Sequence, residues 1–240
     1  MKNCLYLWVC AALLGGCAGT ETGNPSATVA VNTRTSDPQV ASLRVSEGGP
    51  VVDQAWVTME TIGLLENANC REPNLTNREP LGTGDHAGPE PAFVVFDAAP
   101  AEYCQLRIAL APTGTLPDGA PEELRGRAVV VRGRLADGTP FVVSSELSGE
   151  IVIAGATPFA VNEDRAAMIM AMDVARWFED VDLSTATPNP DGTVMINDTE
   201  NTALRDAFDA AAPLGFELYL DADGDAVLDP SPELLGRGQM

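Results

Sequence analysis

A single histidine, His86, serves the whole chain of 240 residues. A serine, histidine and aspartate triad would have to use it, and a zinc site built from several imidazoles is ruled out. Positive charge is also scarce: 14 Lys and Arg stand against 35 Asp and Glu, a formal net charge of -21. Such a surface repels phosphate backbones and anionic head groups, which argues against nucleic acid as a partner and against attachment through a basic patch. The leading apolar run, Cys4 to Leu14, has 11 residues, too few to cross a bilayer as a helix. No G-x-S-x-G, no P-loop and no dinucleotide fingerprint is present, so the sequence names no reaction. What it has instead is 22 Gly and 18 Pro, above the roughly 12% of average composition, together with 45% hydrophobic residues. Frequent turns, few long helices and a real core follow.

Met1-Lys2-Asn3 and the run Cys4 to Leu14 have the positive n-region and apolar h-region of a signal peptide. They lead into Leu14-Gly15-Gly16-Cys17, which resembles the lipobox of bacterial lipoproteins. The resemblance implies removal of residues 1–16 and acylation of Cys17, with palmitate-type chains anchoring the protein in the cell envelope, expected at the outer membrane. Buried lipid contributes about 0.8 kcal/mol per CH₂, and more than one chain makes anchoring stable. An ordinary secretory cleavage near Ala18, or an uncleaved anchor, is the alternative reading. Residues 17–26, small and turn-rich, read as a lipidated tether.

Of five cysteines, Cys4 and Cys10 would leave with the leader and Cys17 would be lipidated, so the mature domain keeps Cys70 and Cys104. An even number in an oxidising space predicts a disulfide between them. It would close a loop of about 35 residues and stabilise by roughly 3 to 4 kcal/mol. Two separate buried thiols would be the other reading; a redox pair is disfavoured because neither cysteine sits in C-x-x-C.

Downstream, β-forming runs recur at strand spacing: 27–34, 40–45, 51–65 and 93–97, then 102–111 with Cys104, Leu106, Ile108 and Leu110 on one face. That alternation predicts an inward Cys104. Residues 66–91 are rich in Gly and Pro and read as an irregular excursion. Residues 126–135 and 139–147 flank Ala136-Asp137-Gly138 as a hairpin, followed by strands at 150–154 and 158–162. The run Met168-Ile169-Met170-Ala171-Met172 fits a strand or a buried helix, its methionines serving as core filler. Asp173 to Asp180 predicts a short helix in which Trp177 and Phe178 seal one end of the sheet. Residues 184–192, with Pro188 and Pro190, suggest a boundary. A helix capped by Asp198 should then run to about Ala212. The expected architecture is mainly β: a β-sandwich or barrel-like domain over 27–183, with a small helical, Asp-rich C-terminal appendage over 184–240.

The spacing with ligand chemistry is Asp221-Ala-Asp223-Gly-Asp225-Ala-Val227-Leu-Asp229. Carboxylates at alternate positions of a tight turn converge on the oxygen-rich shell that calcium needs. The run resembles the loops of EF-hands and thrombospondin type 3 repeats. By that resemblance Asp221, Asp223 and Asp225 would be side-chain ligands of a calcium ion, Val227 would offer its carbonyl, and Asp229 would bind directly or through water. Ala226 replaces the usual glycine, at a cost of about 1 kcal/mol, and Pro232 stands where an EF-hand has its bidentate glutamate. Residues 176–240 hold 14 acidic and 3 basic side chains, a segment that repels itself unless counterions gather on it.

Other candidates carry less. His86 beside Asp85 reads as a solvated loop residue. Arg125, Arg127, Arg132 and Arg134 read as salt-bridge partners for the abundant carboxylates. The tether Thr20 to Pro25, Ala55-Trp56-Val57, Glu102-Tyr103-Cys104 and the Asp-rich loop together resemble a group of uncharacterised bacterial envelope lipoproteins. That resemblance implies an all-β surface domain and supplies no activity. The functional expectation is a membrane-anchored lipoprotein with a non-catalytic binding or structural domain, weak calcium binding, and an unidentified envelope protein or glycan as partner. A hydrolase of envelope polymers using a carboxylate pair, or a calcium-dependent adhesin or carbohydrate binder, are the alternatives.

Overall fold

Strand β3, Val51–Glu66, organises the molecule because its two halves serve different neighbours. The computed structural model describes residues 26–33, 43–44, 49–66, 77–87, 92–97, 100–162, 165–225, 227–228 and 233–240. The first half of β3 pairs antiparallel with β7 (Val129–Arg134), and the second half with β6 (Ala101–Leu110). Short β2 (Leu43–Arg44) and β4 (Asn77–Asp85) lie on its other edge. In β3 the core-facing residues are Val52, then Ala55, Val57 and Met59, then Ile62 and Leu64. The side-chain parity changes twice, at the register shifts between Val52 and Gln54 and between Met59 and Thr61. Each extra residue turns the following side chains to the opposite face and bends the strand.

From the edge of β3 that β7 and β6 share, the sheet runs on in two branches. On one lie β7, β8 (Pro140–Ser145) and β11 (Val194–Ile196). On the other lie β6, β9 (Gly149–Val161), β13 (Glu233–Gln239), β12 (Phe216–Leu220), β10 (Ala167–Met172), β1 (Ser26–Thr33) and β5 (Ala92–Asp97). All neighbours are antiparallel except β1 with β10 and β11 with β8, so the single sheet is mixed. The fold is mainly β, as the strand spacing implies.

The methionine-rich run is strand β10, not helix. Met168, Met170 and Met172 face the main core, whereas Ile169 and Ala171 pack with Ala30 and Tyr219 on the opposite face. A strand covered on both sides reads as a continuous apolar run, which is why periodicity left the choice open. A third cluster of Trp56, Leu124, Val130 and Val142 lies under the segment between β6 and β7.

Three features differ from the sequence reading. Within 66–91 the chain forms β4, pairing from Leu64↔Asn77 to Trp56↔Asp85, because an edge position tolerates Pro80 and the glycines beside it. In β6 a register shift between Tyr103 and Gln105 buries Tyr103 completely and leaves Cys104 half-buried, reversing the simple alternation. The segment 184–240 contributes three strands, and without β12 and β13 the group β10, β1 and β5 would have no ladder to β9.

Two helices close one end. Helix α1 (Val174–Trp177) is capped by Asp173, whose carboxylate accepts the Ala175 N–H at 3.1 Å. Helix α2 (Thr202–Ala211) starts from Asn201 in the left-handed region, φ 52°, rather than from Asp198, which pairs instead with Arg127 at 2.9 Å. Trp177 meets Phe208 edge-on and stacks on Phe216, both with ring centroids 6.0 Å apart. Phe178 adds contacts to Phe141 and Phe208, so the pair seals the sheet end as expected. Among the described residues no helix is long and apolar enough to cross a membrane.

Candidate functional site: the aspartate turn after β12

β12 is apolar on both faces apart from Glu217, and its ladder with β10 continues one residue further, where the Asp221 N–H donates to Ala167 O at 3.0 Å. That bond holds Asp221 almost fully buried at the sheet end, 7% exposed, while Asp223 and Asp225 are exposed. The turn is built by the carboxylates themselves. Gly224, at φ 74°, donates its N–H to Asp221 Oδ1 at 2.9 Å, and the Val227 N–H reaches Asp225 Oδ1 at 2.8 Å. The Asp225 N–H points to Asp223 Oδ1 at 3.4 Å. A left-handed residue is needed at 224 to fold the chain back, and glycine adopts it without a Cβ penalty.

The outcome is that one carboxylate oxygen from each of Asp221, Asp223 and Asp225 lies within 4.8 Å of the other two. Three negative groups at that spacing repel one another, and a hard divalent cation with oxygen ligands is the species that relieves it. The donor set therefore fits calcium. Of the five residues expected to act together, the structure brings these three into one turn. Val227 contributes an N–H to the turn and an exposed side chain, 60% accessible. Asp229 lies outside the described residues, as do Cys17 and Cys70.

Cys104 sits at the β6 irregularity with Sγ 3.4 Å from Leu65 O and 3.5 Å from Glu66 O. It is disulfide-bonded rather than a free thiol, and its partner is not among the described residues.

His86 is not a solvated loop side chain. It follows β4, its N–H donates to Ala55 O at 2.8 Å, and it is partly buried. Loss of hydration on burial lowers its pKa to about 4, outweighing the attraction of Asp85. Asp85 Oδ1 already accepts the N–H groups of Ala55 and Ala87 at 2.9 and 3.1 Å.

The arginines behave as their number relative to carboxylates implies. Arg125 pairs with Glu122, Arg127 with Glu146 and Asp198, Arg132 with Glu123, and Arg134 with Asp53.

Two polar groupings were not foreseen. Glu217, 1% exposed, accepts the Tyr219 hydroxyl and Arg237 Nε, the latter at 3.1 Å. A lone acid in the strand Phe-Glu-Leu-Tyr-Leu was the available signal. Ser145, fully buried, donates to Asp209, which Arg205 also binds at 3.0 Å. Strand register separates this pair from His86 by about three strand spacings, some 14 Å, so the three do not form a triad.

No family model, no curated protein and no solved structure matches this chain.

Proposed function

We propose that this is a lipid-anchored envelope lipoprotein whose β-domain binds or assembles without catalysis, rigidified by a calcium ion in the turn after β12. The observation that carries the reading is the meeting of Asp221, Asp223 and Asp225 within 4.8 Å at the end of strand β12. The lipobox-like leader supplies the location: Cys17 acylated, residues 1–16 removed, the domain held at the outer membrane and facing a protein or glycan of the envelope. In that oxidising space Cys70 is the partner of Cys104.

Three carboxylates with an incomplete shell imply weak affinity, with Kd about 0.1 to 1 mM. At 10 mM calcium such a site stabilises the fold by about 1.4 to 2.7 kcal/mol. Thermal melting of the purified protein in EGTA and in 10 mM calcium should show that gain, and Asp223→Ala should lose it. An unchanged melting point in the unsubstituted protein removes calcium from the account. Intact-mass spectrometry of protein extracted from membranes reads acylation at Cys17 and the Cys70–Cys104 bridge separately.

A further inference from the structure

The register of the sheet fixes which end of the domain the anchor reaches. β1 enters the sheet at Ser26, and the Thr28 N–H donates to Ala166 O at 2.7 Å. On the other edge of β10 the Asp221 N–H donates to Ala167 O at 3.0 Å. The start of β1 and the start of the aspartate turn are therefore two strand spacings apart, about 10 Å. β13 begins at the same end, with Leu220 opposite Glu233, and β6 does too, with Ala101 opposite Val161. Arg165 and Glu233 pair there at 2.7 Å. The hairpin turn at Asp137 lies beyond the opposite end: Arg134 is level with Val51, at the start of β3, whereas Glu66 at its finish is level with Tyr103.

Cys17 and Ser26 are separated by about nine residues. Even fully extended, a chain of that length spans about 30 Å. β6, at ten residues, is about 33 Å long. A chain of that maximum reach does not carry the acyl chains past the domain to its far end.

We propose that the sheet end bearing Ser26, Asp221, Asp223, Asp225 and Glu233 is the membrane-facing surface, its partner the lipid head-group layer, with the Asp137 hairpin pointing away from the bilayer. This rests on the acylation of Cys17. The contact is imposed by the tether rather than by charge, since exposed carboxylates do not attract an anionic bilayer.

The test uses the full acylated protein in phosphatidylcholine vesicles that carry a nitroxide quencher on the head group. A fluorophore is attached through a clickable residue at Leu234, near the start of β13, or at Asp137; both positions are exposed. Melting curves check that each labelled protein is folded. Quenching at 234 should exceed that at 137 by at least twofold, and equal or reversed quenching in protein that floats with the vesicles overturns the orientation alone. Protein that does not float, with Cys17 unmodified by mass, overturns the anchor and the orientation together.

Discussion

The side-chain amide of Asn201 forms a reciprocal pair with the backbone of Thr187: the Thr187 N–H donates to Oδ1 at 2.9 Å and Nδ2 donates to Thr187 O at 3.1 Å. Nδ2 also donates to Met195 O at 2.7 Å, so one residue ties the proline-containing segment to edge strand β11. The same residue adopts φ 52°, a conformation asparagine tolerates better than most. A segment that sequence alone marks as a boundary is thereby fastened to the sheet.

Asn201→Ala should destabilise the protein by about 2 to 4 kcal/mol, from three lost hydrogen bonds and the left-handed backbone penalty. Asn201→Gly keeps the backbone at no steric cost, so it should recover about 1 kcal/mol of that loss. Urea denaturation of both variants separates the two contributions; equal losses would mean that the backbone conformation carries no cost here.

Gly215 marks a close approach. A Cβ built there would lie 2.4 Å from the Trp177 ring and 2.7 Å from Asp173 O, and Gly215 O accepts the Asp173 N–H at 2.7 Å. Gly215→Ala must push α1 off the turn before β12 or rotate Trp177 out of its contacts with Phe208 and Phe216. A loss of about 2 to 4 kcal/mol is expected, in the range of core overpacking and above. A red shift of tryptophan emission should accompany it as the indole becomes wetter. Unchanged stability and emission would count against the packing described.

Ser145 is a donor and an acceptor at once: its hydroxyl donates to Asp209 and receives the Leu147 N–H at 2.9 Å. Burial raises the Asp209 pKa, and the bonds from Ser145 and Arg205 act against that rise. Ser145→Ala should therefore move the Asp209 titration further up and cost about 1 to 3 kcal/mol. Carboxyl-carbon NMR reads the titration directly, and an unmoved pKa would show that the serine does not hold the carboxylate.

Many of the strands themselves were legible because single runs such as Glu102 to Ala111 and the Asp137 hairpin carry local signals. The facing of side chains was less so. β3 departs from strict alternation because two register shifts turn it over, and the same device in β6 exchanges Tyr103 for Cys104 at the core. Such shifts are set by partner strands distant in sequence, to which local periodicity is blind. The placement of β12 and β13 between β9 and β10 is likewise a non-local pairing. The clustering of Asp221, Asp223 and Asp225 was legible because a turn acts over a few residues, whereas the Glu217 pair was not, because its partner Arg237 lies on the next strand.

His86 gives the fold a pH dependence whose sign can be worked out. Its pKa falls from 6.5 to about 4 on folding, so between those values the unfolded chain binds more protons than the folded one. Stability is fully present above pH 6.5 and declines as pH falls toward 4. From pH 6.5 to 5 the ideal loss is about 2 kcal/mol, reduced to about 1 kcal/mol by the partial exposure of the ring. His86→Asn keeps the backbone N–H to Ala55 O and cannot take up a proton. Its stability should therefore fall less than that of the unsubstituted protein over the same interval, with carboxylate titrations common to both. Guanidinium denaturation at the two pH values measures the difference, and identical losses would mean that the imidazole meets water in the fold as freely as in the unfolded chain.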